Sequence, residues 1–99
     1  MGKTILVTGA TDGIGLATAK ILAAEGHNLL IHGRSSEKLA TTEALLLQLD
    51  GGGDIETYQA DFSRPAEVAG LAEAISARHK RLDVLINNAG VFKLAGPSR

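Results

Sequence analysis

Thr8-Gly9-Ala10-Thr11-Asp12-Gly13-Ile14-Gly15 is the stretch that decides the fold of this 99-residue chain. It directly follows a short apolar run, residues 5–7, and directly precedes a segment with apolar residues at helical spacing. Glycines at such a junction let the backbone turn sharply and let a phosphate approach it, while the helix N-terminus offers free N–H groups and a partial positive charge. The placement predicts a phosphate-binding turn between a strand and a helix.

Three other interpretations of this turn have to be weighed. A glycine-rich turn without a ligand stays open, because short glycine motifs recur by chance. A P-loop needs Gly-Lys-Ser/Thr five residues after Gly9, where the chain has Ile14-Gly15-Leu16, so ATP chemistry is disfavoured. A methyltransferase domain also begins with a glycine-rich turn, and only the later motifs separate it from a dinucleotide-binding domain.

Strand-like and helix-like segments alternate along the rest of the chain. Continuous apolar runs at 5–7, 29–31 and 84–86 are typical of strands buried on both faces, and residues 54–60 form a weaker candidate strand after the glycines at 51–53. Apolar side chains at helical spacing predict three helices between these strands. They are Ile14, Ala17, Ile21 and Ala24; Leu39, Leu45, Leu46 and Leu49; and Val68, Leu71 and Ile75.

Helix boundary signals agree with this order. Gly26 ends the first helix, Ser35 or Ser36 can cap the second, and Ser63 with Pro65 opens the third. The order β-α-β-α-β-α-β predicts an α/β, Rossmann-like fold, with crossover helices and the first four strands in one parallel sheet of order 3-2-1-4. We expect residues 1–99 to form part of a doubly wound domain, with 91–99 as an irregular tail.

Composition excludes several classes of partner. The formal net charge is −1 without a basic stripe, so nucleic acid and membrane surfaces are not expected to bind. The chain has no cysteine and its three histidines lack ligand spacing, so neither a disulfide framework nor a metal site is expected. The absence of a signal peptide or long apolar run predicts a cytoplasmic protein.

Two later motifs complete a resemblance to a known family. Asn87-Asn88-Ala89-Gly90 follows the fourth strand and Asp61-Phe62 follows the third. Together with Thr8 to Gly15, they resemble the short-chain dehydrogenase/reductase family over essentially the whole chain, and they disfavour the methyltransferase. The resemblance implies an NAD(P) cofactor that contacts Asp61 and Phe62 at adenine, and Asn88, Ala89 and Gly90 at ribose.

The glycine turn supplies the remaining contacts in this interpretation. The predicted cofactor-binding residues there are Gly9, Thr11, Asp12, Gly13, Ile14 and Gly15. The later motifs also have purely structural interpretations. Asp61 can start a turn into a helix capped at Ser63, and Asn87 and Asn88 are good turn formers. Asp12 also fits a solvated turn residue.

The end of the second strand bears on the choice of cofactor. An NAD-specific site is expected to place an acid about 20 residues beyond the glycine turn, on the ribose 2′-OH, but Gly33 stands there. Arg34 follows and can pair with a 2′-phosphate, with Ser35 adding a hydroxyl, so the sequence predicts NADP rather than NAD. The alternative is an ordinary surface arginine. His32 is expected to be a strand residue with a satisfied imidazole.

Catalytic residues are missing from the sequence. Family members similar to this chain use a Ser and a Tyr-x-x-x-Lys pair, but Tyr58 is the only tyrosine and Phe62 stands four residues later. The first hypothesis is therefore the cofactor-binding front half, truncated, of an enzyme that transfers hydride between NADP and an alcohol or carbonyl substrate. The second is a natural non-catalytic module that binds a nucleotide or a partner. In both, an unpaired edge of the sheet predicts self-association.

Overall fold

Seven elements alternate along the computed structural model, which describes residues 2–49 and 51–89. The strands are β1 (Thr4–Thr8), β2 (Asn28–Gly33), β3 (Ile55–Gln59) and β4 (Val84–Asn87); the helices are α1 (Gly13–Ala24), α2 (Ser36–Leu47) and α3 (Pro65–Arg78). The predicted order of elements is confirmed. The expected tail at 91–99 lies outside the described residues.

The four strands form one parallel sheet in the order β3-β2-β1-β4, as predicted. In the register, Leu6 of β1 stands beside Leu30 of β2 on one side and Leu85 of β4 on the other. The strand order reverses between β1 and β4, because the chain moves outward through β2 and β3 and then returns to the other side of β1. Such a reversal opens a crevice at the carboxyl ends of the strands.

Two apolar clusters cover the two faces of the sheet. Successive side chains of β1 and β2 point to opposite faces of the sheet. Ile5 and Val7 therefore belong to one cluster and Leu6 to the other. Helices α1 and α2 pack on the first face, and α3 packs on the second through Leu71 and Ile75. β1 and β2 are thereby almost completely buried, which explains their continuous apolar sequences.

The ends of the helices follow the predicted signals with one exception. Gly26 adopts φ +89° just after α1, and the hydroxyl of Ser35 accepts the N–H of Lys38 at the start of α2. The prediction that Ser63 opens α3 is wrong: Arg64 is the residue before the helix and makes no side-chain cap. Ser63 is instead engaged with Asp61, while Pro65 occupies the first turn as expected.

The buried face of α1 is not the face that carries its large apolar side chains. Its buried residues are Gly15, Ala19 and Ala23, whereas Ile14 is 77% and Ile21 61% exposed. Small residues let the helix lie close to the sheet, so the stripe at 14, 17, 21 and 24 faces outward. Within residues 2–49 and 51–89, no helix is long and apolar enough to span a bilayer.

Candidate functional site

A cavity of about 400 Å³ opens at the carboxyl ends of the strands, where the strand order reverses. Its volume lies in the range of small-molecule sites. Segments that follow all four strands contribute to its walls. The lining residues are Gly9, Thr11, Asp12, His32, Gly33, Arg34, Asp61, Phe62, Ser63, Asn88 and Ala89. Residues that the sequence places far apart are therefore brought together here.

The glycines of the first turn are required for different reasons. Gly9 and Gly13 adopt φ +61° and +55°, a region that side chains disfavour. A Cβ on Gly13 would meet nothing within 4 Å, so this position faces open space. A Cβ on Gly15 would overlap the carbonyl oxygen of Gly9, because the start of α1 lies directly under the turn. Ile14 is exposed beside Gly13, outside the cavity walls.

The segment after β4 is bonded to the glycine turn. The hydroxyl of Thr8 donates to Asn87 Oδ1 at 3.1 Å and accepts the N–H of Ala89 at 3.0 Å. Asn88 Nδ2 donates to the carbonyl of Gly9 at 3.2 Å. The asparagines thus join the ends of β1 and β4, which is more specific than a simple turn. Gly90, the last residue of the predicted motif, lies outside the described residues.

The loop after β3 forms the wall opposite. Asp61 Oδ1 accepts both the N–H and the hydroxyl of Ser63, at 2.9 and 2.7 Å. These hydrogen bonds lower the pKa of Asp61, and the nearby charges of Arg34 and Arg64 act in the same direction. Asp61 therefore starts a turn as that interpretation expects, but the turn does not lead to a Ser63 cap, and Asp61 also lines the cavity. Phe62 lies against the ring of His32.

A second cavity of about 300 Å³ adjoins the first at the start of α2. It is lined by Thr11, Asp12, Arg34, Ser35, Lys38 and Asp61. Lys38 Nζ lies 3.1 Å from Asp12 Oδ2, and both side chains are exposed. Lys38 is not among the site residues predicted from the sequence. Its position three residues after the capping Ser35 was the available signal, since that places it in the first turn beside the cap.

Gly33 lines the first cavity and leaves little room for a side chain. A Cβ there would lie 2.8 Å from Thr11 Cγ2 and 3.4 Å from Leu39 Cδ2. An acid at this position, as expected in an NAD site, would require Thr11 to move. Next to it, His32 is buried and hydrogen-bonded through both ring nitrogens, so the prediction of a satisfied imidazole is confirmed.

The family model described as short chain dehydrogenase matches residues 3–98 of this chain. An uncharacterized oxidoreductase of Methylorubrum extorquens is 42% identical over 94 residues, which cover 95% of this chain and 38% of that protein. This chain therefore spans little more than a third of that relative.

Solved structures agree with these relationships. A metagenomic short-chain oxidoreductase in complex with NADP superposes with a TM-score of 0.79 at 39% identity, covering 91% of this chain and 40% of that one. A short-chain dehydrogenase from Sphingobium yanoikuyae in complex with NADPH gives a TM-score of 0.78 at 37% identity, covering 95% and 36%. Each match thus includes nearly all of this chain but less than half of the solved structure.

Proposed function

Because this chain belongs to the short-chain dehydrogenase family, we propose that residues 1–99 form the NADP-binding part of an oxidoreductase and are not catalytic by themselves. The observation that carries the proposal is the convergence of the glycine turn and the segments after β2, β3 and β4 on one cavity. The bound NADP or NADPH in two solved neighbours supports the same assignment.

The glycine turn would hold the pyrophosphate. Gly13 has open space beside it, so an anion can approach its backbone without meeting a Cβ. The first N–H groups of α1, from Gly13, Ile14 and Gly15, lack partners within the helix and carry partial positive charge. Thr11 and Asp12 line the cavity at the same place, and Asp12 is held by Lys38.

The second cavity would hold the 2′-phosphate. Arg34 and Lys38 supply two positive charges, and Ser35, which accepts the N–H of Lys38, keeps its hydroxyl proton for a phosphate oxygen. The carboxylates of Asp12 and Asp61 line the same cavity and offset part of this charge. Discrimination between NADP and NAD therefore depends on both cations, with Arg34 as the main one because its fork can bind two phosphate oxygens.

Adenine and its ribose would lie between the loops after β3 and β4. Asp61 and Phe62 form one wall of the cavity, and Asn88 and Ala89 form the other. Gly90, which the resemblance also assigns to the ribose, lies outside the described residues. Asn88 also fixes the carbonyl of Gly9, so ribose contact and turn geometry depend on one side chain.

The cofactor would supply hydride chemistry toward an alcohol or carbonyl carbon when it is bound. This sequence lacks the Tyr-x-x-x-Lys that would supply acid–base help. Tyr58 does not replace it, because burial and the neighbouring Glu56 carboxylate raise the pKa of Tyr58 to about 12. In this proposal, the groups that bind the substrate and provide acid–base catalysis lie in other parts of the enzyme.

Partner binding is a second candidate function, favoured by exposed apolar side chains on α1 and β4. Val84 on the edge strand β4 is 37% exposed and pairs with Ile5, on the sheet face that α1 covers. Ile14 and Ile21, in the outward stripe of α1, are also largely exposed. Within residues 2–49 and 51–89, β4 forms one edge of the sheet. Exposed apolar side chains and strand edges both favour association, and we propose that copies of this chain self-associate through them.

Cofactor preference tests the first proposal. NADPH should bind more tightly than NADH by about 10- to 150-fold, since a hydrogen bond to a charged group contributes about 1.5–3 kcal/mol. Arg34→Asp should erase or invert this preference in fluorescence titrations. Lys80→Asp, with a similar change of charge on an exposed residue after α3, should keep it. An Arg34→Asp protein that retains the wild-type preference would exclude Arg34 as the phosphate ligand.

A further inference from the structure

His32 lies under the candidate site and connects two of its walls. Its side chain is buried, with the residue 2% exposed. Nδ1 accepts the N–H of Gly9 at 3.0 Å, and Nε2 lies 2.8 Å from the carbonyl of Ala60. An N–H can only donate and a carbonyl can only accept, so these partners require the neutral tautomer with its proton on Nε2.

The same residue orders its neighbours through further contacts. The imidazole stacks on the ring of Phe62, with centroids 4.0 Å apart and an interplanar angle of 16°. The carbonyl of His32 accepts the N–H of Ala10 at 2.9 Å. One side chain on β2 thereby fixes the glycine turn, 23 residues earlier, and the end of β3, 28 residues later.

We propose that neutral His32 is a positioning residue for the dinucleotide site, and that protonation of its imidazole releases the Gly9 turn and weakens cofactor binding. This inference rests on the proposed function for its ligand. A cationic imidazole carries a proton on Nδ1, which then faces the N–H of Gly9 as a second donor. The hydrogen bond between them is lost, and the turn that would hold the pyrophosphate loses its link to β2.

The titratable groups around His32 have partners of their own. Tyr58, beside His32 on β3, donates to Glu56, and Glu67 of α3 accepts the N–H of Asp61. Asp12 on the first turn pairs with Lys38 of α2, and Asp61 on the β3–α3 loop is bonded to Ser63 and lies near Arg34. Both imidazole nitrogens are occupied by backbone groups instead. Among the described residues of β4 and the segment after it, 84–89, none is charged.

The electrostatics give the direction of the pH effect. Burial lowers the pKa of His32 below its ordinary value of 6.5, and the hydrogen bond to Ala60 opposes this only in part. The folded chain therefore keeps the imidazole neutral at pH values where an unfolded chain would already be protonated. The contribution of His32 to the affinity should be constant above pH 6.5 and be lost as the pH decreases through the lower pKa of the folded chain.

Variants at His32 separate positioning from simple packing. His32→Phe keeps an aromatic ring against Phe62 but removes the acceptor for Gly9, and should weaken NADP binding by about 5- to 150-fold at neutral pH. His32→Asn restores an acceptor near Nδ1 without a titrating group, and should recover most of the lost affinity. Failure of His32→Asn to bind better than His32→Phe would overturn the positioning role.

The pH profile is the second readout. NADP affinity of the wild-type chain should fall more steeply than that of His32→Asn as the pH decreases through the folded pKa of His32, which lies below 6.5. The 2′-phosphate titrates near pH 6 itself, but it does so equally in both proteins. His27→Asn, at a histidine whose Nδ1 accepts the N–H of Lys3 far from the site, should keep the wild-type profile. Equal profiles for wild type and His32→Asn would overturn the proposal.

NMR of the unliganded chain keeps this result distinct from the proposed function. The imidazole ¹⁵N shifts should report the Nε2–H tautomer, and the Gly9 amide should shift with the titration of His32. If no variant binds the dinucleotide but the Gly9 amide still follows the titration of His32, the proposed function is refuted and the His32 proposal is not. A Gly9 amide that does not follow the imidazole titration would overturn the His32 proposal whatever the cofactor does.

Discussion

Substituting Gly13 by valine tests the phosphate-binding turn most specifically, because the structure offers a matched control at Gly52. Both glycines have positive φ, +55° and +82°, and a Cβ at either would meet nothing within 4 Å. Gly13 lies at the start of α1 beside the candidate site, whereas Gly52 lies in the turn before β3. The two substitutions therefore impose similar backbone strain in different places.

The magnitudes separate strain from binding. A side chain in the left-handed region costs about 1–2 kcal/mol, so both Gly13→Val and Gly52→Val should lower the free energy of unfolding by similar amounts. Only the Gly13→Val side chain would occupy the space that a pyrophosphate needs. Losing two charge-assisted hydrogen bonds, at about 1.5–3 kcal/mol each, weakens NADPH binding by at least about 150-fold, so that binding is effectively abolished.

Fluorescence titration of NADPH, with thermal unfolding of the same samples, measures both effects. Gly52→Val should unfold at a lower temperature but bind NADPH with the wild-type dissociation constant. Gly13→Val should lose stability to the same extent and show no saturable binding. Equal dissociation constants for wild type and Gly13→Val would refute the phosphate-binding turn, and equal losses of binding in both variants would attribute the effect to stability.

Three further predictions concern activity, association and pH. The wild-type chain with NADPH and a panel of ketones and aldehydes should show no loss of NADPH absorbance above a buffer control, because acid–base catalysis worth about 10²–10⁴-fold is missing. Sustained turnover would refute the proposal that this chain is not catalytic by itself. Val84→Lys and Ile21→Lys should shift light-scattering masses toward the monomer, and a wild-type chain that is already monomeric at all concentrations would refute self-association. Burial tends to raise the pKa of Glu56, but hydrogen bonds from His79 and Tyr58 outweigh it and lower this pKa below 4.5. Glu56→Gln should therefore lower the free energy of unfolding by about 1 kcal/mol, or Tm by about 4–8 °C, at neutral pH. This difference should vanish as the pH falls through the pKa of Glu56 in the folded chain, where its stabilisation is lost. A difference that persists in acid would exclude the carboxylate charge as the source of this stabilisation.

The sequence predicts the sheet well, because buried parallel strands leave continuous apolar runs that differ from helical spacing. It predicts the buried face of α1 poorly. Large side chains dominate any hydrophobic pattern, yet the helix packs through Gly15, Ala19 and Ala23 so that it can approach the sheet closely. Ile14 and Ile21 are consequently left outside.

At the site, motifs tied to backbone geometry are predicted better than long-range side-chain contacts. The glycine turn and the segment after β4 converge as expected. Ser63 is predicted to cap a helix but bonds Asp61 instead. These two local hydrogen bonds compete, and the sequence alone does not show which of them forms. Lys38 and His32 act across 26 and 23 residues, so their partners become visible only in the folded chain.

Binding of a dinucleotide where the segments after the four strands converge is the premise on which the proposed function rests. Titrating the ¹⁵N-labelled chain with NADP tests it directly. Saturable shifts are expected at the amides of Gly9, Gly13, Arg34, Phe62 and Ala89, with the distant amides at 51–53 unchanged. No saturable shift, or shifts concentrated away from these residues, would contradict it.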